Sequence, residues 1–266
     1  MDQYLAVLQR CRRDPHADRQ QVFSDIYGLT DEELSYLIQN GGLLLHEEMP
    51  TLEKTFRAYQ DLPIESAVTE LLLATGQRYP TEEPLVVKVY PMSPNDTFGI
   101  ERLGGVSGWV DWDGHTMELV VLPVKTSFPA LQSTVVHEYH HHYRMMKTRI
   151  NGANIPLLEL LIREGMAEHF VTEILGDKAR GPWVYGLTES EAQHLWYGQY
   201  WEHLDDHGDA ANPYIFGAAD SGLPLWAGYA LGYYLVGWYR AAHAGLSMAD
   251  LSRIPARAFV DTVPPV

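Results

Sequence analysis

Residues 135–142 read Val-Val-His-Glu-Tyr-His-His-His and contain the pattern His-Glu-x-x-His. On an α-helix, side chains four positions apart lie on one face, one turn above the other. Two neutral imidazoles so placed can bind one Zn²⁺, and the glutamate between them can act as a general base. The spacing therefore predicts His137 and His141 as metal ligands and Glu138 as a catalytic base.

The flanking residues predict that this pattern lies on a long helix over residues 131–149. Pro129 suits a first helical turn, where its missing N–H is not needed. Neither glycine nor proline occurs between Leu131 and Met146, and basic residues follow near the expected carboxyl end. One alternative stays open, in which the histidines form a run on a partly exposed helix with adventitious metal affinity.

A second acidic motif supplies a candidate third ligand. A catalytic zinc takes three protein ligands and leaves one position for water. Residues 163–168 read Arg-Glu-Gly-Met-Ala-Glu within a predicted helix over 156–175. Glu164 and Glu168 fall on an apolar stripe, where a buried carboxylate is costly unless it is paired or binds metal. Glu164 is the candidate ligand, although a second apolar stripe leaves open the alternative of two exposed glutamates.

Together these motifs resemble the gluzincin metallopeptidases, in which a glutamate ligand on a later helix follows the His-Glu-x-x-His motif. The longer match, over residues 131–141, 163–168 and 228–233, resembles the predicted Zn-dependent proteases of the YjaZ type. The resemblance covers roughly residues 85–255.

This resemblance implies a role for each polar residue of the two motifs. His137, His141 and Glu164 would bind Zn²⁺, and Glu138 would be the general base. Glu168 would hold the N–H of a ligand imidazole and so fix its tautomer. The better-known thermolysin pattern has an aspartate at this last position, so the longer side chain must find room.

A predicted helix from about residue 224 to 240 carries Tyr229 and Tyr233 four positions apart. A phenol near the metal could donate a hydrogen bond to the oxyanion of a tetrahedral intermediate. We therefore include both tyrosines as candidate catalytic residues, with His207 and His243 as rivals. Ordinary core packing with a satisfied hydroxyl is the alternative for each tyrosine.

The composition of the chain disfavours several classes of function and several kinds of binding partner. The formal net charge of −16 argues against sequence-independent nucleic-acid binding and against docking on anionic membranes. With one cysteine, Cys11, no disulfide can form within the chain. No signal peptide is visible, so we expect a cytoplasmic protein. Residues 221–239 are uncharged, but their tyrosines and glycines favour a buried helix over a membrane span.

The predicted fold class is α+β and gluzincin-like. Residues 1–80 read as a helical segment, and 81–266 as a zinc metallopeptidase-like domain. Within that domain, a small, mostly antiparallel sheet over 84–125 would pack on the active-site helix, with further helices over 188–245. The dipeptide Asp113-Gly114 between two β-rich runs predicts a hairpin.

The function expected from these features is zinc-dependent hydrolysis of a peptide or protein substrate. Two alternatives remain. The first is a zinc-stabilised regulatory or interaction protein without turnover, although structural zinc needs no base and has four closed protein ligands. The second is a zinc hydrolase of a non-peptide amide, which would use the same chemistry.

Overall fold

The computed structural model describes residues 2–150, 152 and 154–266. The chain divides into two compact units that interleave along the sequence. The first comprises Met1–Leu71, Val87–Trp109 and Glu118–Val135, and the second comprises Leu72–Val86, Val110–Met117 and Val136–Val266. The division into 1–80 and 81–266 stays a prediction.

The N-terminal part of the chain is helical. Its helices are α1 (Asp2–Arg13), α2 (Arg19–Tyr27), α3 (Asp31–Gln39), α4 (Met49–Asp61) and α5 (Ile64–Arg78). Thr30 and Glu33 form a capping box at the start of α3, which satisfies two otherwise unpaired backbone N–H groups. Apolar side chains from α1 to α4 pack into one core, which includes Leu8, Phe23, Leu37 and Leu52.

The sheet confirms the α+β class but is mixed rather than mostly antiparallel. Its strands are β1 (Val86–Pro91), β2 (Val106–Val110) and β3 (Thr116–Val121), with helix α6 (Thr97–Leu103) after β1, and their order is β1-β3-β2. The expected hairpin forms, with Gly114 at φ +84° in the turn between β2 and β3. Hydrogen bonds from Val86 N to His115 O and from Met92 N to Val121 O make β1 parallel to β3. Because β3 lies between the other two strands, one of its edges pairs with β1 and the other pairs with β2.

Two long helices provide the candidate site. Helix α7 spans Phe128–Thr148 and α8 spans Leu157–Leu175, close to the predicted 131–149 and 156–175. Pro156 is the N-cap residue of α8 and Gly176 its C-cap. Helix α8 therefore begins and ends where the local proline and glycine signals indicated.

The C-terminal part contains α9 (Glu189–Leu195), α10 (Asn212–Phe216), α11 (Ala227–Ala242) and α12 (Met248–Leu251). Helix α11 packs against α8 at glycines. A Cβ added at Gly165 would lie 2.0 Å from Gly232 O, and one at Gly232 would lie 2.0 Å from Leu161 O. Only glycine allows this approach. Among the described helices, none is both long and apolar enough to cross a membrane.

Candidate metal centre

Helix α7 brings His137 and His141 together on one face. Their rings lie 4.6 Å apart, edge to face, and both side chains are buried. The Nε2 atom of His137 lies 3.1 Å from Oε2 of Glu164, and Nε2 of His141 lies 3.4 Å from the same oxygen. Three potential donor atoms from α7 and α8 therefore lie close together, and their role as metal ligands stays a prediction.

The 3.4 Å separation matches the donor set of a catalytic zinc, and the 3.1 Å separation is slightly shorter than such a set requires. Donor atoms at tetrahedral positions, each about 2.0–2.2 Å from the metal, are roughly 3.3–3.6 Å from one another. Glu138 forms a buried group with His137 and His141, in which one potential ligand atom of each residue lies within 4.8 Å of the others, but its Oε2 is 4.0 Å from Nε2 of His141. Glu164 is therefore the better placed carboxylate to complete a set of two imidazoles and one carboxylate.

The charge state of Glu164 suits a ligand. Burial alone would raise its pKa, but the neighbouring His141 and His137 outweigh burial and hold the pKa well below its ordinary value. The carboxylate is therefore ionised, and an ionised carboxylate is the form that binds metal.

Glu138 has a different environment. Its side chain is buried, and Oε2 has no hydrogen-bond partner among the described residues. Burial raises its pKa, while the nearby His141 and His137 act in the opposite direction. A buried carboxylate with a free oxygen and an increased basicity is suited to accept a proton.

Glu168 fixes the orientation of His137. Its Oε1 accepts hydrogen bonds from Nδ1 of His137 at 2.7 Å and from Nε1 of Trp183 at 2.9 Å. Its Oε2 accepts from the backbone N–H of Gly181 at 2.8 Å. A proton held on Nδ1 leaves the Nε2 lone pair of His137 for a metal, which is the arrangement that tunes many zinc sites. The fully buried glutamate thus finds room by binding the loop after α8.

Trp183 and Gly181 were not found by sequence reasoning. Besides its hydrogen bond to Glu168, the indole packs edge to face on the His137 ring at 5.7 Å. The loop has no periodicity that would indicate a site. One signal could have indicated Trp183: it follows soon after a helix that carries carboxylates on an apolar stripe. A buried indole N–H needs an acceptor, and such a carboxylate can provide it.

The two candidate tyrosines lie in different surroundings. The ring of Tyr229 packs 5.6 Å from that of Trp183, which itself contacts His137. The hydroxyl of Tyr233 accepts a hydrogen bond from Arg180, and its ring stacks on His169 at 4.4 Å. Their catalytic roles stay predictions, and the geometry favours Tyr229 over Tyr233.

The rival histidines are both exposed. Nδ1 of His207 donates to the carbonyl oxygen of Asn154 at 3.2 Å. His243 stacks on Tyr239 at 4.1 Å at the end of α11. Within the described residues, these contacts connect neither histidine to the candidate metal ligands.

The other two histidines of α7 have structural partners, which gives a first prediction. Nε2 of His140 donates to Ser252 Oγ at 3.0 Å, and Nδ1 of His142 donates to Gly114 O at 2.6 Å. Replacing either by glutamine should leave zinc content unchanged. The free energy of unfolding should fall by about 1–3 kcal/mol, because buried hydrogen bonds are lost. Elemental analysis and urea titration measure the two effects.

His141→Ala is the positive control for this experiment, since it should release the metal. A zinc loss in His140→Gln or His142→Gln as large as that in His141→Ala would show that the ligand set is wrong.

The site and the sequence comparisons agree on the class of protein. Two histidines of a His-Glu-x-x-His helix and a glutamate of the next helix define a candidate zinc-hydrolase centre. The family described as "Predicted Zn-dependent protease (DUF2268)" matches residues 64–261. The chain belongs to this family, which confirms the resemblance noted from the motifs.

Two curated relatives from Bacillus subtilis (strain 168) are similar to this chain. YjfC, named an uncharacterized protein, is 27% identical over 166 residues, covering 59% of this chain and 52% of the relative. YjaZ, also named an uncharacterized protein, is 30% identical over 138 residues, covering 51% of this chain and 52% of the relative. The chain therefore spans about half the length of these relatives. No solved structure matches it.

Proposed function

We propose that the protein is a zinc-dependent metallopeptidase with His137, His141 and Glu164 as metal ligands. The observation that carries the proposal is the convergence of two imidazole nitrogens on one Glu164 oxygen, with the buried carboxylate of Glu138 beside them. A purely structural zinc site has no use for that extra carboxylate. The description of the family as a predicted Zn-dependent protease supports the same class.

Each residue of the site has a separate role in the proposed reaction. When bound, Zn²⁺ lowers the pKa of a water molecule and polarises the scissile carbonyl group. Glu138 accepts the proton of the attacking water and passes it to the nitrogen of the leaving amine. Glu168 holds the Nδ1 proton of His137, and the indole of Trp183 covers that imidazole. Both contacts keep Nε2 directed toward Glu164.

Metal content is the first test of this proposal. Purified protein should contain about one Zn²⁺ per chain, measured by elemental analysis. His141→Ala and Glu164→Ala should each reduce the zinc content sharply, because each removes one of three ligands. His207→Ala is the matched control, since it removes an exposed histidine outside the cluster. Unchanged zinc in Glu164→Ala would move the third ligand elsewhere, with Glu168 the next candidate.

A peptide-library digest, with and without chelator, then identifies the reaction. Cleavage that stops with chelator and returns with zinc supports the metallopeptidase. A zinc-loaded protein that cleaves no peptide would contradict it. Turnover of a non-peptide amide would then indicate the second hydrolase, and the absence of all turnover would indicate the zinc-stabilised scaffold.

A further inference from the structure

Arg163 is a mostly buried cation that the proposed mechanism does not use. Its side chain is only 15% exposed, and its Nε has no hydrogen-bond partner among the described residues. A guanidinium has five N–H donors and no acceptor, so burying one without partners is costly. A buried unsatisfied donor in a native protein indicates strain, a catalytic role or a missing ligand.

Arg163 borders the candidate metal centre. Its Nε lies 3.7 Å from Oε1 of Glu164, which is too long for a hydrogen bond. The other oxygen of Glu164 faces His137 and His141. The guanidinium is therefore close to the reacting groups without being neutralised by a tight ion pair.

An exposed tryptophan adjoins this guanidinium. The guanidinium carbon, Cζ, of Arg163 lies 5.9 Å from the ring centroid of Trp112, and half of Trp112 is exposed. Stacking on an indole face holds a guanidinium in place while its N–H groups remain able to donate in the plane. Arg163 and Trp112 together form a cation with an apolar neighbour beside the centre.

We propose that Arg163 binds a carboxylate group of the substrate, with Trp112 packing against the adjoining part of the peptide. This inference rests on the proposed peptidase function and names its substrate class: peptides with a carboxylate near the scissile bond. That carboxylate is either the free C-terminus or an acidic side chain. A carboxylate fits because it accepts two parallel N–H bonds from one guanidinium.

The negative net charge of the chain bears on how Arg163 would select an anionic substrate. With a formal net charge of −16, the protein as a whole repels anions. Long-range attraction therefore does not bring anions to the centre, and an anionic group that binds there needs a short-range donor such as the Arg163 guanidinium. We expect the preference for carboxylate-bearing substrates to be local, and to depend on Arg163.

The test compares one peptide sequence, chosen from the library hits, in three forms: free C-terminal carboxylate, C-terminal amide, and amide with one internal glutamate. The wild-type protein should cleave a carboxylate-bearing form with a kcat/KM about 10- to 100-fold above that of the neutral amide. Faster cleavage of the free-acid form would identify the C-terminus as the carboxylate that Arg163 binds, and faster cleavage of the glutamate form would identify an acidic side chain. Arg163→Gln should bring the ratio close to one while the zinc content stays unchanged. Because each ratio compares two substrates of the same variant, a general change in kcat cancels from it.

Arg163→Lys keeps the charge but loses the two-pronged geometry, so it should retain part of the preference. Arg149→Gln, which removes an exposed arginine with 69% of its side chain accessible, is the matched control and should behave like the wild type. Equal preference in Arg163→Gln and the wild type would overturn the inference. So would an equal loss for all three forms, zinc release from the variant, or no preference in the wild type.

A binding measurement separates this inference from the proposed function. If the wild type cleaves no peptide, the metallopeptidase proposal fails, and tryptophan fluorescence then follows binding of acetyl-tetra-alanine, as acid and as amide, to the zinc-loaded protein. Tighter binding of the acid, lost in Arg163→Gln, would support Arg163 as a carboxylate site without turnover. Equal binding of the acid and the amide would overturn it.

Discussion

Replacing Glu138 by glutamine should reduce hydrolysis by at least about a hundredfold, while zinc content and thermal stability stay close to those of the parent. The lower limit is the contribution of a positioned general base. Glutamine keeps the size of the side chain and removes the group that accepts a proton. Because Oε2 of Glu138 has no hydrogen-bond partner among the described residues, the substitution breaks no contact at that atom. Its effect should therefore be confined to the chemistry.

The measurement is kcat on a substrate from the library digest, together with elemental analysis and a thermal unfolding curve. Glu173→Gln is the matched control, because Glu173 lies on α8 and contacts Arg78 and Tyr79. Hydrolysis that survives Glu138→Gln would contradict the mechanism but leave the zinc site intact. The base would then have to be sought elsewhere, with Tyr229 the candidate that contacts Trp183.

Sequence periodicity identified the residues whose placement is local. The spacing of His137 and His141 specifies one helix face whatever surrounds the helix, because a helix repeats every 3.6 residues. Glu164 lies on a second helix, so the sequence indicates it only through an apolar stripe and the family resemblance, and its role as a ligand stays a prediction. His140 and His142 carry the same side chain as the two proposed histidine ligands. What distinguishes them is a tertiary contact, with Ser252 for one and Gly114 for the other.

The missed features depend on contacts between distant parts of the chain. The loop containing Gly181 and Trp183 reaches Glu168 only after α8 has ended, and loops carry no repeating pattern to read. The sheet shows the same limit. The Asp113-Gly114 turn predicted the antiparallel pair, whereas the parallel pairing of β1 with β3 has no local signal. Local sequence signals therefore predicted the helices and the hairpin, whereas the contacts between distant elements depend on tertiary packing.

A buried ion pair between Arg144 and Glu159 gives the largest expected effect on stability. Nε and Nη2 of Arg144 donate to the two oxygens of Glu159 at 2.9 and 3.2 Å, and Arg144 is only 1% exposed. Glu159→Ala should lower the free energy of unfolding by about 3–5 kcal/mol, because it leaves a buried charge without its carboxylate. Urea titration of equally zinc-loaded proteins measures the change.

Two further variants test whether the cause is the unpaired charge. Arg144→Met combined with Glu159→Leu removes both charges and should recover part of the loss, since apolar pairs of similar volume often replace buried ion pairs without cost. The recovery should be incomplete, because the carbonyl oxygens of Ser252 and Ile254 lose their donor. Glu53→Ala breaks the exposed pair with Arg12 and should change the free energy by at most about 1 kcal/mol. A loss in Glu159→Ala as small as that in Glu53→Ala would contradict the buried pair.

The same ion pair links stability to the metal centre. Arg144 lies on α7 with two proposed ligands, and Glu159 lies on α8 with the third. Arg144 also donates to the carbonyl oxygens of Ser252 and Ile254, so it holds the segment after α12 against the same helix. Glu159→Ala should therefore also speed zinc release to a chelator, although it touches no ligand. The double apolar variant should release zinc more slowly than Glu159→Ala, because it leaves no unpaired charge between the helices.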